Sequence, residues 1–342
     1  INPIVVDEPD PSAANALQEG LGGQFGEMRT MMQYLFQSFN FRGNAKPYHD
    51  LIRSIATEEI SHVELISKTI SQLLDGAPGY HGKKFDVPGK DGTTPLEMAK
   101  EQKNPHHFIV GAQGSMPVDA AGNPWSGSYV HCNGNLVLDL LDNLVLESTG
   151  RLQKCRIYQM SSNKTLRSTV AFLIARDEAH EMAFAKALET LGVQWSKLLP
   201  IPKFDSYQYP EVKKLIDAGI NREQYHFSLD GSEMSKIFSG SAPANDGTEL
   251  ITLKEPKKNF PVNPAPERPE EFAPGLDPEL QEMADALEVS IDHLVGKTDF
   301  ELDKTVMQRM VDIQKLNEKE KECVLFALDA MLRDAKTRLA YK

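Results

Sequence analysis

The chain has 342 residues, 40% of them hydrophobic, with 37 Lys and Arg against 49 Asp and Glu, for a net charge of −12. That length and apolar content exclude a disordered chain, and the acidic balance argues against a surface built for nucleic acid or an anionic membrane. Apolar runs fall short of the roughly 18 residues a membrane span needs, and the opening "INPIVVDEPDPSAAN" has no basic region followed by an apolar one, so a cytoplasmic protein is expected. Cys132, Cys155 and Cys323 lie far apart and outside CxxC spacing, which gives neither a disulfide framework nor a thiolate metal site.

Helical periodicity predicts helices over 14–39, 47–74, 133–160 and 164–192, all long, and four long helices point to an all-α four-helix bundle. The first two are joined by "NFRGNAKP", where Pro47 suits a first helical position, and the last two by "SSNKT", whose Ser and Asn are capping residues. Connections this short make antiparallel hairpins. Between the hairpins, a Gly- and Pro-containing stretch from "DGAPGYHGKKFDVPGKDG" to "AGNPWSGSY" forms a long crossover or covers one end of the bundle. From "LLPIPKFDSYQYPEV" to "VNPAPERPEEFAPG" the Pro and aromatic content predicts an extended arm, and helical periodicity returns in the last part of the chain. The expected organisation is a bundle over 1–200, an arm that packs on subunits over 201–282, and a helical appendage over 283–342. In the appendage, "EMADALEVSIDHLVGKTDFE" resembles the region that follows the DNA-reading helices of lambda-repressor-like regulators. No helix-turn-helix unit precedes it, so an assembly role is expected.

The segment "ATEEISHVE" places Glu59 and His62 on the same stripe as Ile52, Ile55, Ile66 and Ile70. A carboxylate in an apolar interior needs a proton, a basic side chain or a metal. Glu27 lies twelve residues before Phe39 and Glu59 twelve after Pro47, which puts both about 18 Å from their shared turn. In the second hairpin, Glu147 is in phase with Leu140, Leu144, Arg151 and Lys154, and His180 with Leu173, Asp177, Phe184 and Leu188. Their depths, about 20 and 24 Å from the turn, agree with the first pair to about one helical turn. Three carboxylates and two imidazoles without a thiolate describe a site for Mn, Fe or a similar divalent ion, and three shared carboxylates favour a dinuclear centre. The usual bundle pattern has a second Glu-x-x-His, but this chain has Asp177-x-x-His180. Asp177 is then either a retracted ligand or an acid or base beside the ions. Tyr34 and Lys154 each lie seven residues from a proposed ligand on the same face. They are read either as hydrogen-bonding partners of the centre or as ordinary core residues. His49, His81, His106, His107, His131, His226 and His293 lack an in-phase carboxylate and are expected to be structural, with His106 and His107 in a loop.

At these residues, and through "GGQFGEMRTMMQYLFQSFNFRGNAKPYHDLIRSIATEEISHVELI" to "EEFAPGLDPEL", the chain resembles the manganese catalases. The resemblance implies a ferritin-like bundle with two manganese ions per subunit that disproportionates hydrogen peroxide. It implies Glu27, Glu59, His62, Glu147 and His180 as the protein ligands, with Glu59 bridging. It also implies a homo-oligomer, typically a hexamer with embracing arms, and places the chain in the branch that carries Lys at the position of Lys154. Proton transfer would fall to Lys154, Asp177 or Tyr34, and Asp177 in place of a longer acid or Gly leaves that assignment open. The other classes the residues allow are a di-iron ferroxidase or oxygen-activating enzyme, and a metal-free bundle with protonated carboxylates.

Overall fold

The computed structural model describes residues 4–75, 105–198, 206–227, 233–244 and 246–255, together with 312, 315–317, 320, 321 and 324. The chain divides into two compact units, residues 1–78 with 82–266, and residues 79–81 with 267–342. The expected boundaries at 200/201 and 282/283 lie outside the described residues. In the second unit, the Asn317 side chain accepts from the backbone N–H of Glu320, an N-terminal helix cap.

The first unit begins with α1 (Pro11–Gly22), entered through Asp10, whose side chain accepts from the Ala13 N–H. The sequence predicts one helix over 14–39, but the structure breaks it: α2 runs from Glu27 to Ser38. Glycines cause the break. A Cβ at Gly22 would lie 2.2 Å from the Val118 carbonyl oxygen, and one at Gly26 would lie 2.7 Å from the carbonyl oxygens of Gly20 and Leu21. The crossover is held against this break by the Gln18 amide, which donates to the carbonyl of Val118 at 2.7 Å and to that of Met116. The break makes Glu27 the first residue of α2, at the positive end of that helix.

Helix α3 (Lys46–Leu73) follows a tight turn in which Gly43 has φ +58°. The described part of the crossover contains α4 (Pro105–Gly111), so His106 and His107 lie on a helix where a loop was expected. Helix α5 (Leu136–Met160) is capped by Asn135, and α6 (Lys164–Thr190) by Asn163, whose side chain accepts from the N–H groups of Thr165 and Leu166. Helices α2 and α3 form one hairpin and α5 and α6 the other. The hairpins pack with α3 against α6 and α2 against α5, giving the ferritin-like four-helix bundle.

Two apolar clusters fill the bundle. One gathers Leu65, Ile66 and Ile70 of α3 with Leu166, Val170 and Leu173 of α6. The other gathers Leu51, Ile52 and Ile55 of α3 with Leu140 and Leu144 of α5 and Phe184 and Leu188 of α6. Each such side chain contributes about 1.5–3 kcal/mol by burial. Between α2 and α5 the packing is polar: the Gln33 amide donates to Asn143 at 2.9 Å, and the Asn143 amide donates to Gln37 at 2.6 Å, all three fully buried. Satisfied amides in such a ladder fix the pairing of two helices that Leu and Ile alone would leave free to slide. Within the stretch expected as an extended arm, residues 206–255 include α7 (Pro210–Asp217), which buries Val212 and Ile216. They also form a small sheet of β1 (Glu223–Gln224), β2 (Gly240–Ser241) and β3 (Glu249–Thr252) in the order β1-β3-β2, with β1 parallel and β2 antiparallel to β3.

Candidate metal centre

The four bundle helices bring Glu27, Glu59, His62, Glu147 and His180 together between the two apolar clusters, and all five are at most 2% exposed. Their donor atoms form two overlapping groups, Glu27 with Glu59 and His62, and Glu59 with Glu147 and His180, in each of which all atoms lie within 4.8 Å of one another. Glu59 belongs to both. Its Oε2 is 3.0 Å from His62 Nδ1 and its Oε1 is 2.8 Å from His180 Nδ1. His62 Nδ1 is also 3.8 Å from Glu27 Oε2, and His180 Nδ1 is 3.6 Å from Glu147 Oε1. The two imidazoles lie nearly parallel, with centroids 5.6 Å apart.

Tyr34 and Lys154, singled out by phase, and Asp177, singled out by its place in Asp-x-x-His, all reach this cluster. The Tyr34 hydroxyl donates to Glu147 Oε1 at 2.6 Å, and its ring packs on Phe184 with centroids 5.0 Å apart. Burial, and next the charge of Glu147, push the phenol well above its ordinary range, so Tyr34 is a donor and not a phenolate. Lys154 Nζ sits between Glu27 Oε1 at 2.8 Å and Asp177 Oδ2 at 2.7 Å. Burial alone would lower its pKa, but Asp177 and Glu27 outweigh that and keep the ammonium charged. Burial raises the Asp177 pKa, and Lys154 opposes this, while Glu27, Glu147 and Glu59 reinforce it. Asp177 lies outside both donor groups, facing Lys154.

Sequence reasoning missed Glu58, Arg176 and Thr30. Glu58, 1% exposed, meets Arg176 through a two-pronged pair, Nε to Oε1 at 2.6 Å and Nη2 to Oε2 at 3.1 Å. Its oxygens also lie 3.4 Å from His62 Nε2 and 3.2 Å from His180 Nε2. Burial pushes the Glu58 carboxyl up, but Arg176 and then His180 outweigh it and hold it well below the ordinary range. The signal in the sequence was the doubled acid in "TEEISH", which sets Glu58 four residues before His62. Thr30, one turn after Glu27, donates to Glu59 Oε2 at 3.1 Å.

The charges gathered at this centre suit a metal. Five buried carboxylates, Glu27, Glu58, Glu59, Glu147 and Asp177, face two cationic side chains, Arg176 on Glu58 and Lys154 shared between Glu27 and Asp177, so three negative charges are left for the imidazoles or a metal to offset. Glu59 Oε1 and His180 Nδ1, both buried, make no formed hydrogen bond although they face each other. Uncompensated buried anions cost several kcal/mol each. Carboxylate oxygens and imidazole nitrogens around one shared carboxylate are the donor set of a pair of Mn or Fe ions.

Comparison with known proteins agrees with this chemistry. The family described as manganese containing catalase matches residues 1–290. A manganese catalase of Bacillus subtilis is 37% identical over 280 residues, spanning 81% of this chain and 97% of the relative. A manganese catalase of B. subtilis strain 168 is 42% identical over 200 residues, spanning 58% of this chain and 71% of the relative. One from Lactiplantibacillus plantarum is 35% identical over 252 residues, spanning 73% and 87%. With most of its length matched and the carboxylate–imidazole core in place, the chain belongs to the manganese-containing catalase family.

Proposed function

We propose that Glu27, Glu59, His62, Glu147 and His180 hold the two manganese ions with which this chain, as a manganese catalase, disproportionates hydrogen peroxide to dioxygen and water. The observation that carries the assignment is the sharing of Glu59 between two buried donor groups. When bound, the ion pair supplies a store for two electrons, so that one peroxide leaves as dioxygen and a second as two waters. Against two divalent charges, the three carboxylates leave the reduced centre close to neutral.

The side chains around the ligands handle protons and position. Lys154, fixed between Glu27 and Asp177, holds a proton at Nζ beside the ligand carboxylate, and Asp177 is the acceptor next to it. The Tyr34 hydroxyl orients Glu147 by donating to Oε1, the oxygen that also faces His180. Leu144, Leu173 and Phe184, all fully buried, keep water and larger reductants from the core. Metal analysis of protein produced with manganese, alongside an oxygen-electrode assay with peroxide, tests the reading. The expected result is about two manganese per chain with dioxygen release. Recovery of a single zinc, or of no metal, would overturn it.

We further propose a homohexamer in the cytoplasm. Exposed Phe36, Phe39, Ile60 and Val145 on the outer faces of the bundle helices support burial against other copies. Among the described residues no helix is long and apolar enough to cross a membrane. Sedimentation analysis and cell fractionation test the two statements.

A further inference from the structure

In both histidines of the proposed ligand set, the nitrogen that faces the shared carboxylate Glu59 is Nδ1. The opposite nitrogens converge. His62 Nε2 lies 3.4 Å from Glu58 Oε1 and His180 Nε2 lies 3.2 Å from Glu58 Oε2. These distances are those of ion contacts, and neither pair is a formed hydrogen bond. Glu58 is buried and its two oxygens are each claimed by one imidazole and one nitrogen of Arg176. One carboxylate therefore faces the outer nitrogens of both rings, which come from different hairpins.

Arg176 is itself held. It is fully buried, its Nη1 donates to the carbonyl oxygens of Ile220 at 2.5 Å and Glu223 at 2.9 Å, and its guanidinium lies over the Tyr225 ring at 4.1 Å. A planar guanidinium with its remaining donors fixed by backbone carbonyls cannot rotate without losing several bonds, so it sets the plane of Glu58. The position of Glu58 is thus fixed partly by residues that lie after the bundle in the chain.

We infer that Glu58 is a positioning residue that holds both ligand histidines in the tautomer protonated at Nε2, with Arg176 and the 220–225 segment fixing Glu58 in turn. A neutral imidazole that donates from one nitrogen presents a lone pair at the other, and a carboxylate acceptor makes that lone pair more basic. Because one carboxylate serves both rings, its loss acts on both metal positions together. The inference rests on the ligand assignment proposed above.

The test uses the full-length protein, stripped of metal and titrated with manganese(II), with unbound ion read from its six-line paramagnetic resonance signal. Glu58→Gln keeps size and one acceptor but places an amide donor against an imidazole donor. It is expected to weaken the affinity for both ions by about 10- to 100-fold, the range for loss of such a partner. Arg176→Lys keeps the charge but loses the fork and is expected to weaken both ions less. Wild-type affinity, within twofold, in a folded Glu58→Gln protein would overturn the inference, as would weakening of one ion only. If Glu58→Gln does not fold, the manganese-loaded wild-type crystal structure decides. The expected geometry has both Nδ1 atoms on metal and both Nε2 atoms within hydrogen-bonding distance of Glu58, and coordination through Nε2 of either ring overturns the inference. A wild-type protein that binds no manganese would instead sink the ligand assignment, leaving the two failures distinct.

Discussion

The first hairpin, α2–α3, assembles Glu27, Glu59 and His62 from its own side chains, whereas the second, α5–α6, supplies Glu147 and His180 and completes its group only with Glu59 from the other hairpin. The second hairpin brings the cations instead: Lys154 from α5 and Arg176 from α6 reach the acids Glu27 and Glu58 of the first. On the proposed ligand assignment, one metal position is built within a hairpin, and the other exists only when the hairpins are packed. This asymmetry predicts unequal consequences for removing a shared and an unshared carboxylate. Glu59→Ala should leave essentially no manganese and no peroxide turnover, because both positions lose a ligand. Glu147→Ala should retain about one manganese per chain, held by the first hairpin, while turnover falls by at least about 10³-fold because the two-electron pair is broken. Metal content measured beside dioxygen release separates the outcomes. Equal metal loss in the two variants would show that the first position does not stand on its hairpin alone.

The cations of the second hairpin carry the next effect. Lys154→Met keeps most of the side-chain length and removes the proton from between Glu27 and Asp177, and Asp177→Asn removes the charge with little change in shape. Each should retain close to two manganese while turnover falls about 10²- to 10⁴-fold, the usual worth of a positioned acid or base. The pH profile of turnover should change in both. A wild-type profile and rate would mean that the pair only packs, and lost manganese in Asp177→Asn would mean that it ligates.

The asymmetry between hairpins also explains what could be read from residues alone. Glu59, His62, Glu147 and His180 sit deep in long helices, where a period of 3.6 residues and a common depth from each turn are enough to bring them to one level. Tyr34 and Lys154 followed from the same phase, seven residues from a ligand. The break before Glu27 was not legible, because it depends on Val118 passing against Gly22, a contact between segments far apart in sequence. Arg176 was missed for a similar reason: it is adjacent to Asp177 and looks like a solvated charge until the carbonyls of Ile220 and Glu223 are packed against it. Helix α7 and the small sheet were hidden by Pro-rich composition, which marks the connections more strongly than the short elements between them.

A smaller difference lies in how each hairpin orients its carboxylate. Glu147 is held by the Tyr34 hydroxyl, while Glu27 sits at a helix start and faces Lys154. Tyr34→Phe removes one buried hydrogen bond to a carboxylate, worth about 1.5–3 kcal/mol, and leaves the ring packed on Phe184. The expected result is about a 10-fold loss of affinity for the ion bound by Glu147 and His180, with the other ion unaffected. Manganese titration of the variant checks this, and equal weakening at both positions would count against the distinction.

The least effect is expected at Gly150, which faces the join between the hairpins. A Cβ built there would lie 3.4 Å from the Phe25 carbonyl oxygen, 3.5 Å from Lys154 Nζ and 3.8 Å from Asp177 Oδ2, all ordinary contact distances. Gly150 lies in the interior of α5, where glycine costs about 0.8–1 kcal/mol relative to alanine. The nearest side-chain atom, Lys154 Nζ, is held by Glu27 and Asp177 at a distance from the added methyl that requires no movement of it. Gly150→Ala should therefore raise stability by up to about 1 kcal/mol, measured as a higher denaturation midpoint, and keep full manganese content. Turnover should change less than about twofold, because the added methyl leaves Lys154 between Glu27 and Asp177 and removes no proton carrier. A large fall in turnover at full metal content would show instead that the added methyl displaces the Lys154–Asp177 pair, which a Cβ there would touch.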